Sequence, residues 1–281
     1  MTEIFGHDAY SPKEIAERVE SIGVAKARLP ITSQITLGIL AGGFIGLGAL
    51  YFTLVTSDQN LTFTASRVLG GLAFSLGLIL VVVAGAELFT GNNLLVMAWV
   101  SRRITTIELL RNWLIVYLSN FIGALGLVLL VLWSQQWHTN GNAVGINAIK
   151  IAAGKAALPF LEAFFRAILC NILVCLAIWL AVAGRSVIDK IFAILFPISA
   201  FVALGFEHSV ANMYFIPLGV WLKDQLNVAG SERLSWLALW TNLVPVTLGN
   251  IVGGSLMVAL VYRFVYRPRS SSPGDVRERT R

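Results

Sequence analysis

An all-α integral membrane protein of six transmembrane helices, arranged as a 3+3 inverted repeat with two discontinuous helices, is the fold class this sequence predicts. Three observations carry that expectation. The chain has 281 residues, 57% of them hydrophobic and 13% charged, against roughly 25% charged in an average soluble domain. Its apolar residues come in runs near the ~20 needed to cross a bilayer as a helix. Two of those runs are interrupted by one frame, G-x-E-x-x-x-x-N: Gly85-Ala86-Glu87-Leu88-Phe89-Thr90-Gly91-Asn92 and Gly205-Phe206-Glu207-His208-Ser209-Val210-Ala211-Asn212.

The first thirty residues are polar, with Glu3, Glu14, Glu17 and Glu20 and no apolar centre, so they do not read as a cleaved signal peptide. Ser11-Pro12-Lys13-Glu14 has the spacing of a capping box with proline at the first helical position. Ile15, Val19 and Ile22 follow at helical spacing between charged residues. Residues 1–30 are therefore a cytoplasmic amphipathic helix, either packed beneath the protein or at the headgroups, or able to gate a pore.

The first span runs from Gln34 to Thr56, and Gly38, Gly42 and Gly46 give it a groove for another helix. The second begins near Ser66 and breaks at Gly85 to Asn92; Leu94 to Val100 beyond the break is too short to cross alone, so the two pieces are read as one discontinuous helix. The third covers Ile107 to Trp133 and the fourth Leu158 to Ala183. The fifth, Ile191 to Leu222, contains the second break, and the sixth covers Trp236 to Tyr262. Residues 31–266 thus form the transmembrane domain, and 267–281 a basic tail rich in Ser and Pro that is expected to be disordered. Cys170 and Cys175 fall in one helix and are assigned to packing.

Six spans sort the basic residues. Lys13, Arg18, Lys26, Arg28, Arg102, Arg103, Arg111, Arg185, Lys190 and the C-terminal arginines share one side; Arg67, Lys150, Lys155, Lys223 and Arg233 lie on the other. Both termini are then cytoplasmic, in a multi-pass inner membrane protein. The net charge of +6 is an orientation signal, and no nucleic-acid partner is implied. Asn120-Phe121-Ile122-Gly123-Ala124 in the third span resembles Asn250-Ile251-Val252-Gly253-Gly254 in the sixth, which extends the repeat. Three spans followed by three more make that repeat inverted, a plan that puts a transport site at the midplane where broken helices meet.

Broken helices expose backbone groups at membrane depth, which is tolerated where they are buried in protein or line a watery cavity. Half-helix N-termini suit a small anion there. Glu87 and Glu207 are expected to turn from the path and accept hydrogen bonds from loop backbone groups; the alternative is contact with a transported proton or cation. His208 is the expected proton-active group, with Thr90 facing it and able to hydrogen-bond its ring. Asn171 and Asn212 either line the path or repair backbone. Lys155 either concentrates an anion at the outer mouth or is a solvated loop lysine. Glu162 and Arg166 are spaced for an i,i+4 pair. There is no H-E-x-x-H cluster and no nucleophile motif, so no enzyme, metal or cofactor is expected.

The Gly205 to Asn212 motif, continuing through Met213-Tyr214-Phe215-Ile216-Pro217, resembles the signature of the formate/nitrite transporter family, and Gly85 to Asn92 resembles that family's other loop. The resemblance implies an aquaporin-like fold and a homopentamer in which each protomer has its own pore for formate, nitrite or related small anions. It implies His208 and Thr90 as the central pair, Lys155 as the vestibule lysine, and Phe74, Leu78, Leu88, Val174 and Phe201 as apolar constrictions; Glu207, Asn171 and Asn212 match as well. Gly91-Asn92-Asn93 is similar to nitrite-type members, whereas Phe74 to Leu78 and Met213 to Pro217 are similar to the formate type. The expected function is pH-dependent or proton-coupled passage of a small monovalent anion, formate first, with nitrite, hydrosulfide or an aquaporin-like neutral solute as alternatives.

Overall fold

The computed structural model describes residues 9–266, so the expected disorder of 267–281 lies outside the described residues. The described chain is helical: α1 (Pro12–Ala27), α2 (Ile31–Thr56), α3 (Phe63–Ile79), α4 (Val96–Val100), α5 (Thr106–Ser134), α6 (Ala143–Ala156), α7 (Phe160–Ala183), α8 (Val187–Ala203), α9 (Ser209–Leu226), α10 (Trp236–Ile251) and α11 (Val261–Val265). A π-helical turn, Leu80–Gly85, extends α3, and a longer one, Val252–Leu260, joins α10 to α11. Five of these helical stretches are long and apolar enough to cross a bilayer. They correspond to the first, second, third, fourth and sixth expected spans. In place of the fifth stand α8 and α9, parted by residues 204–208.

α1 starts as its residues dictate. Ser11 caps the Glu14 N–H, and Glu14 accepts the Ser11 N–H at 2.8 Å. That bond to the backbone holds the exposed Glu14 carboxyl below the usual carboxylate range. The buried face comprises Ile15, Ala16, Val19, Gly23 and Ala27. Ile22, expected on it, is 42% exposed, because Gly23 instead fits against Leu95 and Ala98 and rolls the helix onto its small residues.

The groove on α2 receives α5. A Cβ on Gly42 would overlap the Asn120 carbonyl oxygen, and one on Gly123 would overlap the Ile39 carbonyl oxygen. The backbones therefore touch, which aligns Asn120 with the bend after Gly85. Gly123→Val is expected to destabilise the protein by about 3 kcal/mol, read as a lower midpoint of thermal unfolding in detergent; an unchanged midpoint would show that the two helices can separate freely.

α6 has no counterpart among the expected spans. At 14 residues it is too short to cross, and it buries Val144, Gly145, Ala148, Ile149 and Ala152, packing on α9. Its last turn carries Lys155, so that lysine is positioned by a helix rather than by a loop.

Candidate functional site

Each bend begins with a glycine in the left-handed region, at φ +82° for Gly85 and +73° for Gly205, where a side chain is disfavoured. After Gly85 the chain is non-helical until Gly91, and after Gly205 until Ser209. The freed backbone groups find their partners in two asparagines. Asn120 donates through Nδ2 to Gly38 O and Glu87 O, both at 2.8 Å, and accepts the Phe89 N–H at 2.9 Å. Asn250 donates to Ala167 O at 2.9 Å and Glu207 O at 3.0 Å, and accepts the Ser209 N–H at 2.9 Å.

The carboxylates are used differently from the expectation. Their oxygens meet side chains, not loop N–H groups. Glu87 takes the Lys26 ammonium at 2.7 Å and the Asn92 amide at 2.7 Å, and that amide also reaches Asn112. Glu207 takes Lys155 at 2.8 Å and Asn212 at 2.7 Å, whose amide also reaches Asn242. Each carboxylate is nearly buried, at 4% and 3% exposure, so each needs its cation: an unpaired charge at such depth costs several kcal/mol or more. Lys26, Asn112 and Asn242 were not singled out by sequence. In sequence Lys26 serves only as an orientation charge, and its match to Lys155 becomes visible only when the two Glu–Asn pairs are aligned.

His208 caps α9. Its Nδ1 accepts the Ala211 N–H at 3.1 Å, and its Nε2 lies 3.0 Å from Thr90 Oγ1. A nitrogen that accepts a backbone N–H carries no proton, so in the neutral ring Nε2 holds it and donates to the threonine. Thr90 is itself fixed, because Asn171 Nδ2 donates to its carbonyl at 3.2 Å and to Asn250 O at 2.7 Å. Asn171 therefore repairs backbone. Its Oδ1 has no partner among the described residues. Asn212 does not face the cavities described next; it orients Glu207.

Two cavities approach this pair. One of about 930 Å³ is bounded by α1 residues including Ile22 and Lys26, and by Gly85, Glu87 and Leu88. The other, of about 270 Å³, is lined by Lys155, Glu207, His208, Phe74 and Phe201, with Arg67, Lys150 and Arg166 at its wall. Phe74 and Phe201 meet edge-on with centroids 5.6 Å apart, and Phe201 stacks against the His208 ring at 5.9 Å. Leu78 and Val174 are buried and border neither cavity. Chemically, the arrangement offers one N–H donor beside an aromatic pair on the wall of the smaller cavity, while the larger cavity reaches Leu88 and Gly91 on either side of Thr90 in the chain.

The family model described as formate/nitrite transporter matches residues 13–264. The chain is 42% identical over 271 residues to "Formate channel FocA" of Escherichia coli (strain K12), covering 92% of this chain and 95% of that protein. It is 39% identical to "Probable formate transporter" of Methanothermobacter thermautotrophicus, covering 93% and 98%. Among solved structures, "Pentameric formate channel with formate bound" superposes with a TM-score of 0.78 at 39% identity, covering 84% of this chain and 97% of that one. "FNT family ion channel" does so with 0.79 at 27%, covering 90% and 98%. The chain belongs to the formate/nitrite transporter family.

Proposed function

We propose that this chain is a channel for small monovalent anions, formate first, with its path running from one cavity to the other past His208 and Thr90. The observation that carries the reading is the 3.0 Å contact between His208 Nε2 and Thr90 Oγ1, set beside the Phe74–Phe201 neck. The relatives' names supply formate, and the pentamer named for one structural neighbour supplies the assembly. Nitrite and hydrosulfide are the alternatives of the same chemical class, and a neutral solute is the runner-up.

A 3+3 inverted repeat with two discontinuous helices accounts for the paired networks. Lys26, Glu87, Asn92, Asn112 and Asn120 correspond one by one to Lys155, Glu207, Asn212, Asn242 and Asn250 in four matching bonds, the Lys26 bond to Asn92 Oδ1 alone lacking a counterpart. Placement of both termini in the cytoplasm is supported by the company the basic residues keep: Arg103 and Arg263 both meet Glu20 of α1. Residues 31–266 are then the channel domain, and α1 closes over the larger cavity on the cytoplasmic side of an inner membrane.

An anion in an apolar neck needs its charge met. The Nε2–H of His208 meets it first, by turning from Thr90 to the anion in a charge-assisted bond. A proton taken up at Nδ1, at the cost of the Ala211 bond, would let the Nε2 proton leave with the anion as the neutral acid. Passage is then pH-dependent. The test is uptake of formate, nitrite, hydrosulfide and lactate into proteoliposomes at two pH values, together with osmotic shrinkage in glycerol. Formate uptake that rises as the pH falls is expected; glycerol or water passage without anion uptake would overturn the reading.

A further inference from the structure

We infer that Arg67 and Arg166 form a docking site for a small oxyanion on the wall of the 270 Å³ cavity, outside the Lys155–Glu207 pair. The two guanidinium groups converge on one point: a Cβ built on Gly205 would lie 3.1 Å from Arg67 Nη2 and 3.9 Å from Arg166 Nη1. Convergence of like charges needs compensation, and they do not share it equally. Arg166 donates to Gly205 O at 3.3 Å and pairs with Glu162. Arg67 has no hydrogen bond or ion pair among the described residues, and its Nε is buried without an acceptor. Its guanidinium also lies over the Phe63 ring, 5.6 Å from the centroid.

The rest of the wall explains why the missing acceptor is a solute. Lys155 is neutralised by Glu207 at 2.8 Å, so it adds little field to the cavity. Lys150 lines the same space and has no ion pair among the described residues. The uncompensated charge of the cavity is therefore that of Arg67 and Lys150, and it is positive. Guanidinium groups present flat forks of N–H donors, which match the paired oxygens of a carboxylate, nitrite or sulfate. Gly205 has no side chain to occupy the point between them, so the bend that breaks the helix also keeps the site open. The ligand class is an oxyanion with two accessible oxygens, supplied either by the free solute or by a lipid phosphate.

The transport readout rests on the channel reading above; the binding readout does not. Full-length protein in detergent is heated with sodium sulfate or with sodium chloride at equal ionic strength. Sulfate is expected to raise the unfolding midpoint of the wild type more than that of Arg67→Gln, the rise common to both being its general salting-out effect. The absence of a sulfate-specific rise, or an equal rise in R67Q, overturns the site. Repeating the measurement with phosphatidylglycerol added to phosphatidylcholine separates the sources: a sulfate effect that persists supports the free solute, and one that vanishes assigns the site to the headgroup phosphate and overturns the solute. In proteoliposomes, R67Q is expected to raise the half-saturating formate concentration about tenfold, with the maximal rate falling far less. If the wild type carries no formate, the channel reading fails while the sulfate shift still reports on the site.

Discussion

His208→Ala is expected to cut formate flux about a hundredfold and to flatten what remains of its pH profile. Alanine removes three things at once: the Nε2 donor facing Thr90 Oγ1, the Nδ1 acceptor for the Ala211 N–H, and the ring on which Phe201 stacks. His208→Asn separates them. Asparagine is among the best helix N-caps, so its amide oxygen can keep the Ala211 bond and the start of α9. It is too short to reach Thr90 and carries no titratable proton. The Asn variant is therefore expected to unfold near the wild-type temperature and still lose flux and pH dependence, as uptake into proteoliposomes across a pH series would show. An Asn variant with wild-type flux and an unaltered profile would sink the role assigned to the ring.

The breaks were legible in sequence because glycine, a buried carboxylate and asparagine are improbable together inside an apolar run, and the same frame occurs twice. The partners of those carboxylates were not. Glu87 and Glu207 could be seen to need compensation, but Lys26 lies in an amphipathic helix and Lys155 near the end of a short one, where solvated lysines are common. Only the fold brings each within 2.8 Å of its glutamate. That pairing changes how Lys155 is read. As a free loop cation it would draw anions by itself; bound to Glu207 it holds the bend, and Arg67 and Lys150 are left to supply the field. Substituting Lys155 alone also strands a buried carboxylate, so its loss reports on folding before it reports on uptake. α6 leaves little trace in the sequence for a different reason. Its buried positions are mostly small, Gly145, Ala148 and Ala152 among them, and small residues leave a weak periodic signal.

Asn250→Ala is expected to cost about 2–6 kcal/mol, at about 1–3 kcal/mol for each buried polar group left without a partner. The two groups most exposed to that loss are Glu207 O, inside the bend, and the Ser209 N–H, at the first turn of α9. Ala167 O loses a donor too, but it lies within α7 and keeps the helical bond that any interior carbonyl has. At membrane depth water does not readily replace these partners, so the loss should appear as a lower midpoint of thermal unfolding in detergent. The stronger comparison is Asn250→Asp, which changes almost no volume. Aspartate keeps an acceptor for Ser209 but turns its second oxygen toward the two carbonyl oxygens that the Asn250 amide now serves. It should therefore be at least as damaging as alanine, and an aspartate variant that melts with the wild type would mean that the bend does not depend on the amide. Asn120 makes the matching three bonds around Glu87, so Asn120→Asp should fail in the same way; an effect confined to Asn250 would show that the Gly205 bend alone relies on its clamp.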